Sequence, residues 1–305
     1  MFRQPFKLTN VTALPPPGSS GQRRTFFMPG NIRVHNFTCY VTQGQPGTEA
    51  TPAPASRAQI IAAIQRIRLV VGTVTIRDIT ADQLLKMQDI LGYKQLGNPD
   101  GTNMGAFTIY FSEPKAATVL GEEASAWDLR GIAELQIWID LNMPPAGTAF
   151  DVRMEASIDS IANVINGQFA GRIIRASRFT DQLGGGRTSY FLLPRTRPFS
   201  RLWLFPLSGV LPTRVILRRN QVDVYDMTQT AALPELASNL KKYDKTPFLN
   251  PDGTVKDVWP IILNPDGQIT NIMEISPADQ LELITEMPTS GQIEFLIEQQ
   301  SIGVA

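Results

Sequence analysis

Two stretches of this chain repeat each other, and duplication of a whole strand-and-helix unit leaves few architectures open. Val74–Thr80 (VTIRDIT) matches Val222–Thr228 (VDVYDMT), which aligns Asp78 with Asp226 and Thr80 with Thr228. A strand-like run and a tight turn precede each copy, Arg66–Gly72 and Arg214–Asn220, and a segment of helical spacing follows each. Upstream, Thr25–Pro29 (TFFMP) resembles Ser189–Pro194 (SYFLLP), again running into a strand. Both halves end on a strand introduced by glycine, Gly131–Asp140 and Gly291–Gln299. A chain of 305 residues is thus read as two similar domains of about 150 residues each. The stretch Leu141–Gly147 (LNMPPAG), just after a strong strand, puts the predicted boundary between residues 1–143, with an N-terminal arm, and 144–305.

Short alternating or β-branched runs bounded by Gly, Pro, Asn and Asp dominate both halves: Ile32–Val41, Ala106–Phe111, Ile132–Leu141 and Phe150–Ile158 in the first, Arg201–Phe205, Arg214–Arg218, Leu281–Glu286 and Gln292–Gln299 in the second. Three copies of Asn-Pro-Asp-Gly, starting at Asn98, Asn250 and Asn264, carry turn chemistry: Pro presets φ and Gly takes the left-handed exit. Helical spacing is confined to Ala81–Gly92, with Leu84, Leu85, Met87, Ile90 and Leu91 on one side, to Thr228–Tyr243, and more weakly to Ser157–Asn166. Ala13–Gly21 and Gln43–Ser56 read as loops. The fold class is therefore all-β with a few short helices, in sandwiches or barrels.

Composition excludes several functions. Basic and acidic residues balance at 28 each, so there is no basic excess for nucleic acid. No run of about 20 apolar residues is present to span a bilayer, and the N-terminus shows no signal-peptide pattern, which points to synthesis in the cytoplasm. His35 and Cys39 are the sole histidine and cysteine. They suffice neither for a zinc site nor for a disulfide, and alternation places Phe37 between them, with no carboxylate on that strand to orient the imidazole. The repeated Asp78 and Asp226 lie where a strand passes into a helix. There Asp and Thr accept backbone N–H bonds and suit the positive helix end, so Asp78, Thr80, Asp226 and Thr228 are read as capping residues of the repeat. A catalytic carboxylate pair is the sharper reading, but the two aspartates belong to different domains. Of Trp127, Trp138, Trp203 and Trp259, which would suit sugar stacking, the last three lie in strand runs, where core packing is the commoner fate.

With the duplication, the strand order and segments such as Phe6–Asn10 (FKLTN), Ser177–Thr188 (SRFTDQLGGGRT) and Leu281–Ser301 on the page, the chain resembles the double jelly-roll major capsid proteins of tailless, membrane-containing icosahedral phages, corticovirus- and finnlakevirus-like. The resemblance implies two tandem eight-stranded jelly rolls and no enzymatic activity. It implies homotrimers that act as pseudo-hexagonal capsomers, meet neighbouring capsomers and tile an icosahedral shell over an internal membrane. Minor capsid, vertex or membrane proteins of the virion are the further partners, and the virion is the location. The arm residues Phe2, Arg3, Phe6 and Lys7 would then face membrane or capsomer. The resemblance implies no cofactor; a structural divalent cation such as calcium is compatible with it, without a ligand set that the sequence names. The competing readings are a jelly-roll carbohydrate-binding or glycosidase protein, and a minor virion or spike protein.

Overall fold

The computed structural model describes residues 4–10, 22–30, 32–44, 53–93, 104–114, 125–129, 134–142, 149–160, 172–191, 193–229, 257–263 and 273–302. All three Asn-Pro-Asp-Gly turns, most of the expected helix at Thr228–Tyr243, and Phe2 and Arg3 lie outside them.

The first half carries β1 (Gln4–Lys7), β2 (Thr9–Asn10), β3 (Gln22–Pro29), β4 (Ile32–Gly44), β5 (Ala53–Pro54), α1 (Arg57–Ala63), β6 (Ile64–Val71), β7 (Val74–Ile79), α2 (Ala81–Ile90), β8 (Ala106–Tyr110), β9 (Trp127–Asp128), β10 (Glu134–Leu141) and β11 (Ala149–Ser160). Then follow β12 (Arg172–Leu183), β13 (Gly186–Tyr190), β14 (Phe199–Pro206), β15 (Arg214–Arg219), β16 (Val222–Thr228), β17 (Trp259–Ile262), β18 (Leu281–Met287) and β19 (Gly291–Ile302).

The pairing repeats strand for strand. In the first barrel β3-β10-β6-β7 make one antiparallel sheet and β1-β11-β4-β8 the other. In the second, β13-β18-β15-β16 and β12-β19-β14-β17 occupy the same places. The irregularities coincide as well. A bulge follows Leu69 in the β6–β7 hairpin and Leu217 in the β15–β16 hairpin. Another skips His35 in β4 and Ser200 in β14. Bulges pin register, so residue equivalences follow: Asp78 with Asp226, Cys39 with Leu204, Met154 with Phe295. Both hairpins turn in two residues, with Gly72 at φ 58 and its counterpart Asn220 at φ 49, in the left-handed region that tight hairpins need.

Each pair of sheets closes over its own core. Phe37, Cys39, Phe107, Leu135 and Met154 belong to the first, and Leu202, Leu204, Trp259, Ile261 and Phe295 to the second. The expected boundary at residue 143 is corrected here. β11 pairs with β4 across its length and gives Val152, Met154 and Ala156 to the first core, so the division lies between Ser160 and Arg172. The Pro-Pro stretch after β10 is a connection within the first barrel. Likewise, Ser157–Ser160 extends β11 instead of starting the expected third helix, and the rest of that segment lies outside the described residues.

Helix α1 has a sequence signal that the strand pattern hides: Ser56 accepts from the backbone N–H of Gln59, while the Gln59 side chain accepts from the Ser56 N–H. Helix α2 starts with the same device, Thr80 and Gln83. Replacing Thr80 by Ala should cost about 1 kcal/mol of stability, read as a lower denaturant midpoint with unchanged slope.

Candidate functional site

Three polar arrangements stand out, and the first overturns an expectation. His35 does have partners. Its Nδ1 lies 2.7 Å from Ser112 Oγ and its Nε2 3.0 Å from Asp159 Oδ2. Arg33 Nε donates to both oxygens of the same carboxylate at 2.9 and 3.1 Å. The carboxylate comes from β11, paired with β4, and the serine from the turn behind β8, so neither is near His35 in sequence.

Serine, histidine and aspartate in a row invite a hydrolase reading, which the geometry opposes. His35 is 0% exposed, Asp159 2% and Ser112 4%, so no substrate reaches the hydroxyl. Arg33 already neutralises the aspartate that would have to stabilise an imidazolium. Burial pushes the Asp159 carboxyl up, but hydrogen bonds from Arg33 and His35 outweigh it and hold the group below its usual range. This is a buried cross-strand tie. Cys39 faces the same core, where burial pushes its thiol far above the reactive range. Among the described residues, no group of three or more His, Cys, Asp or Glu side chains is placed to hold a metal ion.

The second arrangement is the seam between the barrels. Ala176 of β12 bridges Arg77 of β7 in parallel, which joins sheets of the two barrels edge to edge. Helix α2 lies over this junction. Ala81, Leu84 and Leu85 face the first core, while Met87, Ile90 and Leu91 pack on Ala176, Trp203, Phe205 and Leu296 of the second barrel. That double burial explains why its apolar residues exceed one stripe.

Charges inside the seam are paired. Arg201 reaches Glu113 at 2.5 Å and Glu298 at 3.4 Å, Trp203 Nε1 donates to Glu298 at 3.3 Å, and the Tyr93 hydroxyl donates to Glu113. Arg77 donates to the carbonyls of Ile174 (3.0 Å) and Tyr110 (2.8 Å). Burial lowers its pKa to about 10, offset in part by Glu298, so it stays cationic at neutral pH. Gln83 closes the seam with a 2.5 Å bond to Glu294.

The third arrangement is a charged row across the outer face of each barrel, and it revises the role of the repeated aspartates. Asp78 does not cap α2; Thr80 does. Asp78 instead pairs with Arg66 at 3.1 Å, and its counterpart Asp226 takes Arg214 in a two-pronged bond of 2.8 and 2.7 Å. Arg66 and Arg214 stand at the same offset in the repeat. The row continues through Asp140, bonded to Arg68 and, at 2.7 Å, to Arg23, and in the second barrel through Glu286, 3.5 Å from Arg214 with Arg187 opposite it in register. Such pairs, half-buried in the first barrel and exposed in the second, add little stability one by one, but they keep a sheet face polar. Thr228 ends β16 opposite Arg214, and the segment it was expected to cap lies outside the described residues.

Of the expected arm, Phe6 and Lys7 are in β1, paired with Ala156 and Glu155 of β11; Phe6 packs against the first core. Trp127, Trp203 and Trp259 are buried. Trp138 departs from the core placement expected of it: it lies on the outer face of β10, with the guanidinium groups of Arg23 and Arg68 at 4.4 and 5.4 Å from its ring centre. The ring that would have to stack on a sugar is already stacked.

Residues 58–164 match the family model of the viral coat protein P2 N-terminal domain, a span that runs from α1 past β11. No curated protein matches the chain by sequence. Among solved structures, the chain superposes on the major capsid protein P2 from Bacteriophage PM2 with a TM-score of 0.74 at 14% identity, covering 99% of this chain and 98% of that one. It superposes on the MCP of STIV, the Sulfolobus Turreted Icosahedral Virus, with a TM-score of 0.67 at 9% identity, over 98% and 97% of the two chains. The Faustovirus major capsid protein matches with a TM-score of 0.57 at 7% identity, over 98% and 90%. The chain has the double jelly-roll fold of these capsid proteins, and the relatives that share it along its length are structural proteins.

Proposed function

We propose that the chain is a viral major capsid protein, three copies of which form a pseudo-hexameric capsomer that tiles an icosahedral shell over an internal membrane. The observation that carries this is the fixed side-by-side placement of two barrels of one topology. A unit with two near-identical barrels gives a threefold ring six near-equivalent positions, a shape that tiles with one kind of protein. Rigid coupling matters for that role: a hinge between barrels would let the tile deform, whereas a buried seam of apolar contacts and paired charges resists it.

Balanced charge lets copies pack closely without strong mutual repulsion. The family match and the printed names of the superposed structures point to the coat of a virus, and the PM2 relative to a bacteriophage, so the place of action is the virion after synthesis in a bacterial cytoplasm. Neighbouring capsomers and minor capsid, vertex or membrane proteins are the partners of that reading. In that reading Phe2 and Arg3 would serve as the arm toward lipid or an adjoining capsomer, while Phe6 packs against the first core and Lys7 stands on the β1 edge.

The purified protein should show three times its 33.7 kDa mass by light scattering and form sheets or particles at high concentration. A stable monomer at micromolar concentration, with no ordered assembly under any condition, would sink the reading.

A further inference from the structure

We infer that copies join head to tail, with the β16 edge (Val222–Thr228) of one seated against the β1 edge (Gln4–Lys7) and the groove at Tyr40 of the next; this rests on the capsomer reading above. The duplication supplies the argument. Within one chain, the edge of β7 is covered by β12 of the second barrel. Among the described residues its counterpart β16 has no such cover: Val224 is 42% exposed, whereas its equivalent Ile76 is 2% exposed. An open edge with apolar side chains is a template for pairing with another strand.

Among the described residues the complementary surface is open as well. β1 holds in the first barrel the place of β12 in the second, each pairing with the strand beside it, β11 or β19. Register makes Pro5 the equivalent of Ala176 and Lys7 that of Arg178. The outer face of the neighbouring strand tells the same story. Trp203 and Phe205 are buried beneath α2 in the second barrel, but their equivalents in the first are Thr38 and Tyr40, and Tyr40 is 38% exposed in a groove lined by Lys7, Thr42, Arg153 and Glu155.

Charges select the occupant. Arg178 stands 3.8 Å from Asp78 across the seam within the chain. The equivalent pair is Lys7 with Asp226, which no single chain brings together in this way; the two are opposite in sign, and Asp226 would take Lys7 in addition to Arg214 as Asp78 takes Arg178 in addition to Arg66. The two surfaces differ from one another, so the contact is heterologous and a ring can close. Pro5 lacks an N–H, so the contact is a short bridge with side-chain pairing rather than a long ladder, as the lone Ala176–Arg77 bridge already is.

Disulfide trapping tests it. A Lys7→Cys chain mixed with an Asp226→Cys chain under mild oxidant should give covalent dimers of one chain with the other, and neither variant alone should cross-link; Cys39 is buried and out of reach. The doubly substituted chain should give a ladder that stops at three. In parallel, Lys7→Glu and Asp226→Lys should each weaken association by roughly tenfold or more, and the charge-swapped double variant should recover it, with circular dichroism reporting that each remains folded. A wild type of trimeric mass whose doubly substituted form does not cross-link, or a Lys7→Cys chain that links to itself, would overturn the interface while leaving the capsomer standing. A monomeric wild type would overturn the capsomer and the interface with it.

Discussion

Arg201→Ala should lower the unfolding free energy by about 3–5 kcal/mol, because it strands two buried carboxylates, Glu113 and Glu298, that face one guanidinium across the seam. Trp203 Nε1 and the Tyr93 hydroxyl remain as uncharged donors, and the nearby cation of Arg77 spends its hydrogen bonds on the Ile174 and Tyr110 carbonyls. In a chain of this size such a loss lowers the thermal midpoint by roughly 5–15 °C. Calorimetry should also show the single transition splitting in two, since the seam is what couples the barrels. A variant that unfolds at the wild-type temperature would show that the pairing contributes nothing net. The counter-variant replaces the whole set, Arg201→Met with Glu113→Leu and Glu298→Leu, and should recover most of the stability, as apolar replacement of a buried ion network commonly does.

Arg33→Met should cost about as much, roughly 3–5 kcal/mol, by leaving Asp159 buried with His35 and without its two-pronged partner. The pH dependence separates this from a plain packing defect. In the wild type, Asp159 is held below the ordinary carboxylate value of about 3.9, so its stabilisation is fully present above that pH and is lost as pH falls through the depressed folded value. Without Arg33 the opposing influence is burial, which raises the carboxyl. The stability deficit of the variant should therefore be largest at neutral pH and narrow as pH falls, because the buried site without Arg33 prefers the protonated carboxyl while the wild type loses its contribution in acid. Asp159→Asn in the Arg33→Met background removes the charge and should flatten that pH dependence; a deficit that stays the same from neutral to acid pH would refute the account.

Much of this protein is a matter of short-range pattern, and the sequence by itself determines that part. Alternation decides which residues of a strand face the core, two-residue turns decide the hairpins, and the Thr80–Gln83 and Ser56–Gln59 spacing decides two helix starts, since each rests on neighbours within one turn or one pleat. The duplication belongs here too: Asp78 and Asp226 fall on equivalent positions because the same local instructions occur twice. The ion pairs of the repeated aspartates and the outward face of Trp138 are equally local. Arg66 and Arg214 lie at the offset that relates Asp78 to Asp226, and Trp138 shares a face with Gln136 and Asp140, opposite Leu135, Ile137 and Ile139.

What only the tertiary structure decides is which strand lies beside which. The alternation of β11 is satisfied by any barrel that offers an apolar face, so nothing local assigns it to the first barrel, and a Pro-rich connection carries the same local signals as a domain boundary. His35 finds Ser112 and Asp159 at separations of 77 and 124 residues, and Arg201 finds Glu113 at 88. A polar side chain bound for a buried site looks, in sequence, like one bound for water. The cost of burying it unpaired is met only when the sheets close and bring the partner charge alongside.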